Sequence, residues 1–113
     1  MSTARTQALL WYAQRISAMV LAVCVVIHLV GIIAAVHGGL TADEILGRTR
    51  GNWVFGGFYA VFVLACAVHA PIGVMNIGGE LPGMHRLVSW VIAPLFALVI
   101  LVLGLRAVWA VVI

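Results

Sequence analysis

Residues 55–77 carry no charged side chain, and His69 and Asn76 are their only strongly polar members. Two further stretches, residues 9–36 and 87–113, are similarly long and apolar. A membrane span needs about 20 apolar residues. In hydrocarbon the backbone must bond to itself, so each stretch is read as a helix. Composition agrees, with 65% of the 113 residues hydrophobic and 8% charged. A soluble domain of this length leaves too much surface exposed to hide that content. The expectation is an all-α membrane protein, a single domain over residues 1–113 with spans at 9–36, 53–77 and 87–113.

The punctuation fits. Trp11, Trp53, Trp90 and Trp109 fall near segment ends, where an aromatic belt belongs. The 37–52 connection is polar and long enough for a short surface helix. The 78–86 connection, with Gly78, Gly79, Pro82 and Gly83, reads as a tight turn. Net charge is +3, carried by six arginines and no lysine. The arginines are scattered, so they read as topology markers and not as a nucleic-acid patch. Arg5, Arg15 and Arg86 fall on one side, and Arg48, Arg50 and Arg106 on the other. The N-terminus and the 78–86 turn are assigned to the cytoplasmic side. The basic start runs directly into a span, so no cleaved signal peptide is expected, and a bacterial or archaeal membrane is favoured. Cys24 and Cys66 lack metal-binding spacing and read as small packing residues.

The chemistry lies in two histidines. An ionisable side chain at membrane depth is costly and marks a functional position. Helix periodicity sets Phe58, Phe62, Cys66, His69, Gly73, Asn76 and Glu80 on one face. Gly73, one turn from His69, lets a flat macrocycle approach the backbone. Pro71 leaves the Ala67 carbonyl without its helical donor and is expected to bend the helix beside His69. This is a wall suited to haem held by imidazole. His28 shares a face with Ser17, Leu21, Cys24, Gly31 and Ala35, a set that also suits close helix packing. At 1.5 Å per residue, His28 lies about 24 Å and His69 about 12 Å from the cytoplasmic edge. The two therefore do not ligate one haem within one chain. Either His69 alone is a ligand, or each histidine serves a different haem with a partner subunit. The plainer reading is that a membrane histidine bonds a neighbouring helix. Arg15, beside Gln14 and near Ser17, is either a snorkelling marker or a partner for a propionate or a carbonyl ligand. His37 and His85 read as solvated loop residues.

The stretch from Arg15 through Ser17 and His28 to Gly31 resembles the first span of the small membrane-anchor subunits of succinate dehydrogenase. The stretch His69-Ala-Pro-Ile-Gly73 resembles the second span, where a histidine followed four residues later by glycine ligates haem b. The resemblance covers nearly the whole chain. In the cytochrome b type an Arg-His pair follows that glycine, whereas this chain has Met75 and Asn76. The hydrophobic anchor type is therefore favoured, although Gln14-Arg15-Ile16-Ser17 is similar to the cytochrome type.

The resemblance implies half of a helical bundle completed by a second membrane-anchor subunit. It implies an iron–sulfur subunit, a flavoprotein subunit and membrane lipid as further partners, with no nucleic acid. A flavoprotein oxidises succinate to fumarate in the tricarboxylic acid cycle, and electrons reach a quinone at the membrane surface. The chain itself holds no catalytic centre. It implies haem b on His69, with a second haem where His28 also binds, and quinone or propionate contacts from Arg15, Ser17 and Glu80. The location implied is the bacterial cytoplasmic (inner) membrane. Where the family has an Asp-Tyr pair at the quinone, this chain has Glu80 and Leu81, and Leu81 donates no hydrogen bond. Other readings are a haem-free structural anchor and a b-type subunit of another dehydrogenase. A proton-coupled drug transporter needs an intramembrane carboxylate, and no span carries one.

Overall fold

A computed structural model describes residues 3–113. Among them every regular element is helical. Helix α1 spans Ala4–Gly38, the short α2 spans Ala42–Thr49, α3 spans Trp53–Gly78, and α4 spans His85–Val112. Helices α1, α3 and α4 are long and apolar enough to cross a membrane. The short helix in the 37–52 connection and the turn before α4 are both present.

Capping chemistry decides where the helices begin. Thr3 stands in extended conformation, and its Oγ1 accepts from the Thr6 amide at 3.2 Å. That bond satisfies one of the free donors of the first turn. It starts α1 five residues before the apolar run does. At 35 residues, α1 is about 52 Å long, more than the hydrocarbon layer requires, so its polar first turns stand at headgroup level. In α2, Thr41 and Glu44 form a reciprocal capping box. The bonds from Thr41, aided by Arg48, hold the Glu44 carboxyl below its ordinary pKa.

Two prolines act differently. Helix α3 runs without a break through the buried Pro71. Near Pro94 the ladder of α4 widens, and Val88–Ile92 forms a π-helical turn. Proline cannot donate to the carbonyl four residues back. The Ala93 amide bonds instead to the Val88 carbonyl, the arrangement of a π-bulge.

Helix α3 lies between the other two, which scarcely touch one another. Its contact with α1 includes Gln14 near Gly73, Ser17 at His69, Cys24 near Cys66 and His28 at Tyr59. Steps of three and four residues keep these on one helix face. Ser17 and Cys24 are the buried residues of α1. On its other side α3 meets α4 through small residues opposed to valines. A Cβ on Gly104 would stand 2.6 Å from Val63 Cγ1, one on Gly56 3.2 Å from Val112, and one on Gly78 would overlap Val88. Small residues of this kind allow helices in lipid to approach closely.

The end of the molecule that carries α2 is tied by main-chain carbonyls. The Thr49 hydroxyl donates to the Val111 carbonyl at 2.7 Å, and the Gly51 amide donates to the Val112 carbonyl at 2.7 Å. The last turn of α4 thus gains acceptors' partners from the α2–α3 connection. The chain exposes 7961 Å², against about 6,000 Å² for a compact monomer of its mass. The excess is apolar and lies on the outer helix faces, as a membrane protein requires.

The Gly104–Val63 contact makes a direct prediction. Valine is stiff at χ1 and cannot turn aside freely. Gly104→Ala is expected to cost about 1–3 kcal/mol in equilibrium unfolding of the chain in detergent micelles.

Candidate functional site: a polar cavity beside an intramembrane histidine

At the end where α1 begins, α3 ends and α4 begins, a cavity of about 800 Å³ opens between the three helices. The start of α1 and the 79–84 turn therefore lie at one end of the molecule, as three successive spans require. Trp11, Trp90, Leu10 and Met75 supply its apolar wall. Gln14, Arg15, Asn76, His85 and Ser89 supply its polar groups. An apolar pocket with a few convergent polar groups is the usual form of a small-molecule site.

Two polar features stand out. The Arg15 guanidinium lies 5.2 Å from the Trp11 ring centroid, a cation–π contact that restrains it. Gln14 Oε1 is buried and has no hydrogen-bond partner among the described residues. A buried acceptor left unpaired costs about 1–3 kcal/mol, so such an atom calls for an explanation. Here it belongs to a side chain that lines the cavity.

His69 is half-buried on the α1–α3 seam, six residues deeper along α3 than Met75 of the cavity wall. Ser17 Oγ lies 3.0 Å from the Gln14 carbonyl, to which it donates, and 3.4 Å from His69 Nδ1. A hydroxyl has one proton. With that proton given to the carbonyl, Ser17 accepts from His69, and the imidazole proton resides on Nδ1. Nε2 then carries a lone pair and has no hydrogen-bond partner among the described residues. Gly73, one turn further on, has only Gln14 Nε2 near, 3.7 Å from where a Cβ would stand. An imidazole fixed through Nδ1–H with Nε2 free is the state in which histidine ligates a metal. The residues on this face fit a haem.

His28 is engaged differently. Its Nδ1 lies 2.6 Å from the Tyr59 hydroxyl, and Tyr59 and Phe62 meet its ring edge to face. The Tyr59 hydroxyl has no other acceptor among the described residues, so it donates to Nδ1 and the imidazole proton resides on Nε2. That bond across two helices matches the plainer sequence reading of a membrane histidine.

Of the sequence-named residues, the structure brings Arg15 to the cavity and Ser17 to His69. Glu80 is exposed in the turn and is not among the residues lining the cavity. Ser17 does not line it either. Cys24 is buried and Cys66 half-buried, both free, as expected of packing residues. His85 is exposed, as expected of a loop residue, yet it lines the cavity. Tyr59, Gln14 and Ser89 were missed. Depth alone could have found Tyr59. It stands ten residues from His69, about 15 Å along α3, which brings it level with His28.

These features define an integral membrane subunit with a polar pocket at one surface and a free imidazole at depth. The chain belongs to the succinate dehydrogenase/fumarate reductase transmembrane subunits, whose family model matches residues 1–78. That span includes Arg15, Ser17, His28 and His69 and stops where α3 ends. No curated protein and no solved structure matches the chain significantly.

If Tyr59 holds His28 only for packing, Tyr59→Phe should lower stability by about 0.6–1.7 kcal/mol and leave ligand binding at the cavity unchanged. Unfolding in micelles and a binding titration check the two halves.

Proposed function

We propose that the chain is the hydrophobic membrane-anchor subunit of a succinate:quinone oxidoreductase. It holds haem b through His69 and forms one wall of the quinone site. The observation that carries this reading is the pairing of an unsatisfied buried carboxamide, Gln14, with an imidazole whose Nε2 is free, the two residues linked through Ser17. Family membership supports a complex with other subunits. On this reading those are a second anchor subunit, an iron–sulfur subunit and a flavoprotein. The complex lies in the bacterial cytoplasmic membrane with the cavity end facing the cytoplasm.

Reduction of a quinone to a quinol takes two electrons and two protons. The electrons come from the iron–sulfur subunit, which must dock at the cavity end. This chain's residues bind and orient the quinone ring. Arg15 is held by Trp11 and donates N–H to a quinone carbonyl, where charge develops as electrons arrive. A carboxamide carries both a donor and an acceptor, so Gln14 meets the quinone carbonyl and the quinol hydroxyl alike. Trp11, Leu10 and Trp90 exclude water from the ring. His85, at the exposed mouth, passes one proton to a reduced oxygen, the role that Leu81 cannot take, and water at the open mouth supplies the second. Haem, when bound, supplies one-electron redox chemistry.

His28 is proposed as a structural residue. Its lone pair is engaged by Tyr59, so ligation of a second haem would require the opposite tautomer.

Two outcomes are expected of the purified complex. His69→Ala should lose haem b in a reduced-minus-oxidised spectrum, and full retention would remove His69 as a ligand. Arg15→Ala should raise the KM for quinone about tenfold, the loss of roughly 1.4 kcal/mol, while succinate oxidation by a soluble acceptor persists. Unchanged quinone kinetics would reject Arg15 as a contact.

A further inference from the structure

We infer that Ser17 is a positioning residue that fixes the tautomer and ring orientation of His69. The inference rests on the reading of His69 as an iron ligand. Ser17 is buried in the α1–α3 seam, 6% exposed, where alanine would pack as well. A serine in a helix commonly turns its hydroxyl back to a carbonyl of the preceding turn, and Ser17 does so to Gln14 at 3.0 Å. That bond alone would satisfy its proton. The same oxygen also lies 3.4 Å from His69 Nδ1, across 52 residues of sequence.

The order of the chain follows from proton count. His69 Nδ1–H donates to Ser17, and Ser17 donates to the Gln14 carbonyl. Each donor is used once, and the last acceptor is a backbone carbonyl whose position the α1 helix fixes. The arrangement holds the imidazole by its rear nitrogen and leaves the Nε2 lone pair on the other side of the ring. A metal-binding histidine generally has such a partner, which raises the basicity of the ligating nitrogen. His28 lacks it, because Tyr59 gives a proton to its Nδ1 and does not take one. Two seam histidines on one pair of helices, both bonded through Nδ1, thus differ in which nitrogen carries the proton, and Ser17 makes the difference. One turn of α1 also carries two roles: Gln14 offers its carbonyl to this chain of bonds and its side chain to the cavity.

The test uses the whole complex, with Ser17→Ala and the near-isosteric Ser17→Cys compared with the unchanged protein. The readouts are haem per complex, the haem midpoint potential and the low-temperature electron paramagnetic resonance spectrum. Loss of an acceptor at Nδ1–H makes the imidazole a poorer donor to ferric iron. Haem content is expected to stay near normal in both variants, the potential to shift upward, and the g-values to move. Cysteine should behave as alanine, because a thiol is a weak acceptor. An unchanged potential and spectrum in either variant would overturn the role of Ser17. Full haem retention in His69→Ala would instead overturn the ligand reading, whatever the serine variants do.

Discussion

Lipid offers no hydrogen bonds, so every polar side chain at depth must find its partner inside the protein or in a ligand. In this chain that constraint is met almost entirely along one seam. Ser17, His69, His28 and Tyr59 all lie where α1 meets α3. The α3–α4 contact is built from glycines and valines. One face of α3 therefore fixes distance by shape, while the other fixes rotation by hydrogen bonds. A helix slip along the α1 seam would leave at least two polar groups unpaired. A slip along the α4 seam would drive valines into glycines.

The same division explains where the cavity forms. The α1–α3 seam extends past the apolar region, because Thr3 caps α1 well outside it. Helix α4 reaches that level only after the 79–84 turn, and its π-helical turn lies alongside. Three helix ends thus meet at headgroup height without closing on each other. Polar residues there, such as Asn76 and Ser89, can face water or a ligand without the cost that applies deeper in the membrane. His69 lies just below this level. That proximity lets one structural element serve both a polar pocket and an intramembrane imidazole.

Periodicity within single helices was legible from the sequence. It gave three spans, the small-residue face of α1, and the joint face of His69, Gly73 and Asn76. It could not say which residue of a neighbouring helix meets a given face, because helix rotation is set by packing. Hence Ser17 was sorted with quinone or propionate contacts although its hydroxyl lies at His69, and Tyr59 was not paired with His28. His85 read as a solvated loop residue because its own neighbours in sequence are polar. Its place on the cavity wall depends on α1, some seventy residues earlier. The π-helical turn was equally hidden. Pro94 marks a missing donor, but a proline alone does not say whether the ladder stays regular or widens: α3 continues through Pro71, whereas α4 widens just before Pro94.

The openness of the fold gives the proposed function its final step. Helix α3 packs against both α1 and α4, which scarcely touch one another. His69 is only half-buried, so the chain by itself covers part of its imidazole and leaves the rest open. If haem is held by His69 as proposed, helices of a partner subunit would have to cover the rest of it. The small residues around His69 and the exposed apolar faces of α1 fit that demand. On that proposal, the incompleteness of the site within one chain argues for a partner subunit alongside family membership. The cavity proposed for the quinone draws polar groups from all three long helices. On the proposed function, its remaining wall would come from the subunit that brings the electrons.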